Sequence, residues 1–468
     1  MDKHSVPPSS PAPQSGHAAH AAHARASRRR HRAWFTLACS VLCLVALGLR
    51  LQTAWHRNHA SPDAVALRLD GDEPLYEALA YGLLQGSFFP SPMRVPVYPA
   101  FLAATYAALG ERSSAKLLYV QAFVGVLVVP LTYLLARRWT RRISALVAAG
   151  MVGLDDRLVE QAAFLYSEVL YTPLLLGALL ALLGTVQAPR RGRFAWAGAC
   201  MAVVTLCRPT TALFPLLLPL LLPQGWPRMR QVRAVLVYGL AMGAVIAPWT
   251  YHNWHQFHHF LPLNVGMVTL WQGSPEFYHL TQQHRSHVDI WSNELNPERN
   301  GGYDPMTIEG DAYFKRRGLE SIRAEPGVYV VYALKKAGYL WLGNPAAEWG
   351  YGDLYDWKTL RQWYPYSSLK LLNMFLTRQL PLVALAALVF LAVRGRVRPL
   401  RSLVMVCAYF TLLHILLWAE IRYSDPLHPL LATMVMVASQ EGYDWFARKR
   451  PQEDLQEERA GPSWDQPA

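Results

Sequence analysis

The chain is poor in charge and in cysteine. Only 16% of its 468 residues are Asp, Glu, Lys or Arg, against about 25% in an ordinary soluble domain. Lys and Arg number 45 against 32 acids, a formal net charge of +13. That surplus lacks the polar background of a disordered or nucleic-acid-coating segment, so no nucleic-acid partner is expected. The five cysteines, Cys39, Cys43, Cys200, Cys207 and Cys407, each lie inside an apolar run, and no CxxC occurs. A free Cys in such a run is a small hydrophobe, and neither a zinc motif nor a redox motif is supported. No internal repeat is visible, and no inverted pair of the kind secondary transporters use.

What the chain does have is apolar length. Apolar residues make up 52%, with 16 Trp and 23 Tyr, rings that favour the bilayer interface. The Pro-, Ser-, Ala- and His-rich segment 1–32 reads as a disordered cytoplasmic tail. The run from Ala33 to Leu49 has no clear cleavage site and reads as a first, retained membrane helix. Further runs cover Leu117–Ala136, Ile143–Leu154, Val169–Pro189, Phe194–Cys207, Pro209–Pro223, Ala234–Thr250, Gln379–Val393, Ser402–Ala419 and Leu427–Gln440. The expected fold is an all-α polytopic membrane protein of roughly ten spans, several shorter than the usual ~20 residues.

Basic clusters alternate with acid-containing loops. Arg25–Arg32, Arg137–Arg142, Arg190–Arg193, Arg228–Arg233, Arg394–Arg401 and Arg448–Arg450 hold 22 basic residues and no acid. The positive-inside rule places these clusters and both termini in the cytoplasm. Two long segments then face outward, about 51–116 and 251–370, before C-terminal spans over 371–445 and a tail at 446–468. Long ordered loops usually carry function, so the chemistry is expected on the outer face.

In the first outer loop, Asp70, Asp72 and Glu73 precede Pro74. Either Asp could cap a helix starting there. Leu75, Leu79 and Leu83 share one face, as in an amphipathic helix lying on the membrane. A second helix follows Arg94-Val95-Pro96-Val97-Tyr98-Pro99 and ends near Gly110. Two readings of the acids are open: helix capping, or a carboxylate base or metal ligand at the membrane surface. The cluster His252, His255, His258 and His259 has spacings that could gather imidazoles for zinc, but it alternates with aromatics and reads as an interfacial segment. Tyr329 to Trp341 reads as another surface helix, whose Lys335 and Lys336 could contact lipid phosphates, although anchoring of the helix suffices to explain them.

Six motifs occur in order. Asp72-Glu73-x-x-Tyr76-x-x-x-Ala80 is followed by Arg94-x-Pro96-x-Tyr98-Pro99. Tyr166-Ser167-Glu168 opens one span, and Cys207-Arg208-Pro209 closes another. Pro248-Trp249 leads to His252-Asn253, and Arg422-Tyr423-Ser424-Asp425-Pro426 opens the last span. Together they resemble the GT-C membrane glycosyltransferases, in the bacterial protein-mannosyltransferase-like and aminoarabinose-transferase-like branch. His252 stands where that family commonly has Arg.

The resemblance implies a GT-C module over 33–250 with a catalytic first outer loop, in a bacterial cytoplasmic membrane. It implies a hexosyl- or pentosyltransferase that moves a sugar from a polyprenyl-phosphate donor to a lipid, glycan or protein acceptor, with inversion. Asp72 is the candidate base, with Glu73 the neighbour able to replace it. Tyr76, Arg94, Tyr98, Glu168, Arg208, Arg422 and Tyr423 are the candidate substrate-binding residues. No metal ligand is assigned, and a divalent cation stays open. Arg208 could instead snorkel to the interface, and Arg422 could serve a structural ion pair with Glu420 or Asp425. The rival function is a secondary transporter or a flippase of lipid-linked sugars, which would need ionisable groups near the bilayer midplane.

Overall fold

The structure, a computed structural model, describes residues 15–59, 71–187, 189–283, 290, 293–343 and 378–460. Among these residues there is no strand. Helix α1 (Ser15–Asn58) leads to two short helices, α2 (Glu73–Leu84) and α3 (Val97–Leu109). Next come α4 (Ser114–Gly125) and α5 (Val128–Ala136), nearly continuous, then α6 (Arg142–Gly153) and the one-turn α7 (Asp156–Glu160). The bundle continues through α8 (Glu168–Gln187), α9 (Arg191–Cys207), α10 (Phe214–Leu221) and α11 (Arg228–Phe257). Among the described residues, four further helices build a lobe: α12 (Val268–Gln272), α13 (Pro275–Gln283), α14 (Ile308–Ala324) and α15 (Pro326–Leu342). The chain returns through α16 (Leu380–Val393), α17 (Arg401–Leu416), a 3-10 segment (Ile421–Leu427) and α18 (His428–Ala460).

Among the described residues, five segments are long and apolar enough to cross a membrane: Ala33–Asn58, Ser114–Ala136, Glu168–Gln187, Arg228–Phe257 and Arg398–Leu416. Their outward faces carry exposed apolar side chains such as Leu37, Leu44, Leu236 and Leu240, as a lipid-facing surface requires. The seams between helices use small residues, which let backbones approach closely. Ala145, Ala148 and Ala149 of α6 are fully buried. A Cβ on Gly198 of α9 would meet the Tyr238 carbonyl oxygen of α11 at 2.2 Å, so only glycine permits that crossing.

Two sequence expectations change here. The segment 1–32 is helical from Ser15 onward, because its alanines and arginines favour helix and continue into the span. Likewise, the C-terminal tail continues α18 to Ala460. The run Pro209–Pro223 yields a 3-10 turn and an eight-residue helix, only ~12 Å long. Its prolines 209, 215, 219 and 223 remove amide donors and interrupt the helix.

The leucine face of α2 also differs from expectation. Leu79 is buried with Phe89, Leu206 and Trp249, and Leu75 and Leu83 pack on that cluster. The face is therefore covered by the ends of α9 and α11, not by lipid. In α15, Lys336 is fully buried and donates to the carbonyls of Gly273 (2.9 Å) and Leu417 (2.8 Å). It ties the lobe to the end of α17 and does not reach outward to lipid phosphates. The lobe's core is Trp271, Phe277, Phe314, Tyr332 and Trp418.

Candidate functional site

Five chain segments meet at one end of the bundle. Asp72 occupies the N-cap position of α2, but its side chain makes no cap hydrogen bond. Gly71, at φ +60, turns the chain just before it. The carboxylate points instead at two guanidinium groups. Arg94 Nη2 donates to Asp72 Oδ1 at 2.6 Å, and Arg422 Nη2 lies 3.6 Å from Asp72 Oδ2. The capping reading therefore fails for Asp72; Asp70 lies outside the described residues.

Glu168 is the first residue of α8, and Arg208 caps the C-terminus of α9. These two form a salt bridge. Between the two ion pairs, the Arg94 guanidinium lies over the Tyr76 ring at 5.2 Å. Tyr76 donates to Ser167 Oγ at 3.5 Å, and Ser167 donates to Glu168 Oε2 at 3.3 Å. On the other side, Arg208 lies over the Tyr423 ring at 5.1 Å, and Arg422 lies against the same ring at 5.3 Å. The contacts close a ring: Asp72, Arg94, Tyr76, Ser167, Glu168, Arg208, Tyr423, Arg422 and back to Asp72. Glu420 adds a third carboxylate, accepting from Arg422 Nε at 2.6 Å.

The ring is neither fully exposed nor closed. Side-chain exposure is 36% for Asp72, 18% for Arg94, 17% for Arg208 and 21% for Arg422, against 4% for Glu168. Asp72 is thus the acid most open to a substrate, facing three partly exposed guanidinium groups. Burial tends to raise its pKa, but Arg94, Arg422 and Arg208 outweigh it and hold the carboxyl below its ordinary value.

Two sequence candidates stand behind the ring. Glu73 is fully buried. Arg57 grips both its oxygens at 2.7 and 2.6 Å, and the Leu165 amide donates to it at 2.6 Å. Its carboxylate fixes the end of α1 and the approach to α8. Tyr98 is also buried, donates to Gln121 Oε1 at 2.6 Å, and packs edge-on against Tyr76 with centroids 4.8 Å apart. It supports Tyr76 from below.

The segment carrying Arg422 and Tyr423 is clamped from underneath. Arg157 of α7 pairs with Asp425 and donates to the Ile421 carbonyl. Gln161 donates to Asp425 at 2.6 Å, and His428 contacts Asp155 at 2.6 Å. Arg57 and Arg157 were absent from the sequence analysis, and Ser167 and Glu420 were named there without a place in the site. Ser167 lay inside a quoted motif and Glu420 stood as a rival ion-pair partner for Arg422; Arg57 and Arg157 carried no signal, because their partners lie 16 and 268 positions away. In the His cluster, His252 stacks on Trp249 at 5.2 Å and His258 ends α11 at φ +55.

Residues 93–252 match the family described as dolichyl-phosphate-mannose-protein mannosyltransferase, about a third of the chain. The structure is similar to the archaeal oligosaccharyltransferase AglB from Archaeoglobus fulgidus in complex with an inhibitory peptide and a dolichol-phosphate. The identity is 16% and the TM-score 0.52, over 91% of this chain and 52% of that one. The apo form of the Archaeoglobus fulgidus enzyme matches at 16% identity and TM-score 0.52, over 90% and 52%. ArnT from Cupriavidus metallidurans bound to undecaprenyl phosphate aligns at 15% identity over 86% of this chain and 79% of that one, with a TM-score of 0.39. The chain spans about half the length of the archaeal structures it matches. No curated protein matches it in sequence. The chain has a GT-C-type helical membrane fold, as its ordered motifs implied.

Proposed function

We propose that this chain is a glycosyltransferase that moves a sugar from a polyprenyl-phosphate donor to an acceptor at the outer face of the membrane. The observation that carries the reading is the ring itself: Asp72, the most exposed of its carboxylates, faces three guanidinium groups at the ends of apolar helices. In the proposed reaction an acceptor oxygen attacks the anomeric carbon and the bond from that carbon to the phosphate oxygen breaks, with inversion. The acceptor proton passes to Asp72. The electron pair leaves on the polyprenyl phosphate, whose growing charge is met by Arg208 and Arg422.

A carboxylate of lowered pKa is a weak base, so proton transfer would come late, as the new bond forms. Donor binding would help it. A phosphate that engages Arg422 and Arg208 would leave Asp72 facing Arg94 alone and raise its proton affinity. An apolar cavity of about 880 Å³ between α1, α6 and α16 reaches Asp155 at its polar end and offers a seat for an isoprenoid chain.

The ring's ionisable groups lie at helix ends: the N-cap of α2, the first residue of α8 and the C-cap of α9. A transporter would want them near mid-span, so this placement favours transfer over flipping. Reconstituted protein should transfer labelled sugar and show no flipping above that of empty liposomes. Flipping without transfer would overturn the assignment.

Two expectations follow from the geometry. Activity needs Asp72 ionised, and a lowered pKa preserves that form as the pH falls. The acid limb of kcat/KM should therefore lie below ~4, the ordinary carboxylate value. Arg94→Gln removes the 2.6 Å partner and should move that limb to higher pH; an unmoved limb would separate Arg94 from the electrostatics of Asp72. Arg208→Lys keeps the charge but loses the planar fork. Losing one charge-assisted hydrogen bond costs about 1.5–3 kcal/mol, so half-saturation by donor should require roughly 10- to 150-fold more of it. Equal saturation curves would mark Arg208 as a structural partner of Glu168 only.

A further inference from the structure

The opposite end of α9 holds a second polar feature. Helix α9 runs 17 residues from Arg191 to the ring, ~25 Å at the usual rise. At its start lies a cavity of about 420 Å³ lined by Arg190, Arg191, Arg230 and Arg233, with Phe194 and Val237 among its apolar walls. Trp226 stands at its edge, with the Arg230 guanidinium 4.1 Å from its ring centroid. Phe194 is buried against Trp226, centroids 6.3 Å apart.

No Asp or Glu occurs between Glu168 and Glu276. None of the four arginines has an ion pair among the described residues. Four like charges around one cavity repel one another. The arrangement is complementary to an anion that also brings apolar surface. A free phosphate would leave the Phe194 and Val237 walls unused. The cavity lies where α9 and α11 both begin, a depth marked by an indole as at bilayer interfaces.

We propose that this cavity binds the phosphodiester headgroup of an anionic membrane phospholipid, with the first methylenes of an acyl chain against its apolar wall. The guanidinium groups take the phosphate oxygens, Trp226 covers the glycerol backbone, and Phe194 and Val237 receive the first methylenes. Topology alone would explain basic residues in these loops, but not their convergence on a walled cavity. Basic pockets between helices at the cytoplasmic surface are suited to such headgroups. The site is independent of the transfer reaction proposed above.

The test uses the full chain purified in detergent. Unfolding midpoints are measured with added phosphatidylglycerol, phosphatidylcholine or inorganic phosphate. The comparison variant carries Arg190→Gln, Arg230→Gln and Arg233→Gln together. Arg191, Arg193 and Arg228 are kept, so the positive-inside signal survives. Phosphatidylglycerol should stabilise the natural chain more than phosphatidylcholine does, and inorganic phosphate should have no effect. The triple variant should bind phosphatidylglycerol roughly a hundredfold more weakly, counting about a factor of five per arginine at the surface. In the natural chain, 1 M salt should erase most of the phosphatidylglycerol increment by screening the exposed charges, which supplies a readout free of mutation. An equal increment in the triple variant would overturn the proposal, as would a salt-insensitive increment. Stabilisation by inorganic phosphate alone would make the cavity a simple anion site.

Discussion

Asp72→Asn is expected to reduce transfer by about 10²–10⁴-fold, the usual cost of removing a general base, while the protein still folds and inserts. Asparagine is nearly isosteric and still accepts a hydrogen bond from Arg94, now 2.6 Å from the carboxylate. The side chain does not cap α2, so no helix hydrogen bond is lost. Asp72 is also partly exposed, which limits the cost of leaving Arg94 and Arg422 without an anion. The check is turnover of the purified variant beside its unfolding midpoint. A lost rate with an unchanged midpoint agrees with the proposed role. Near-normal turnover would remove Asp72 from the mechanism.

Its neighbour should behave in the opposite sense. Glu73→Ala strips a fully buried carboxylate of two short contacts with Arg57 and one with the Leu165 amide. Breaking a buried ion pair by removing one partner costs about 3–5 kcal/mol. Arg57 also donates to the Ala163 carbonyl and sits 4.3 Å from the Phe164 ring, which offsets a little of that cost. The midpoint of unfolding should fall sharply, and transfer should fall in step with the folded fraction. A stable Glu73→Ala protein with no transfer would give the base to Glu73 instead of Asp72. The two adjacent acids thus separate by experiment as they do by burial.

Much of this arrangement was legible before the fold was known. The apolar runs located the helices, because length and hydropathy are local properties. The ordered motifs gave Asp72, Arg94, Glu168, Arg208 and Arg422, which the fold brings to one place. The partners of apolar faces were harder to read. The leucine stripe of α2 announced an apolar neighbour without saying whether it was lipid or the Leu206 and Trp249 side chains. Lys336 reads as a surface lysine, because nothing local marks the two carbonyls from distant segments that hold it. The same limit hid Arg57 and Arg157, whose roles exist only through chain crossings. Pro209–Pro223 was misjudged for another reason: its leucines keep the run apolar across the prolines, while each proline removes a helix hydrogen bond.

The central claim is the identity of the donor. The ring gathers its guanidinium groups at one end of the bundle, and the Arg-rich connections at the other end are short. The 137–142 and 190–193 connections could not build even a ~50-residue nucleotide-binding domain. A sugar activated elsewhere would have to arrive on a carrier that resides in the membrane. The decisive measurement is sugar transfer by the purified chain in liposomes, given either a polyprenyl-phosphate sugar or a nucleotide sugar with no lipid carrier. The account predicts transfer from the first and none from the second; efficient transfer from the nucleotide sugar alone would contradict it.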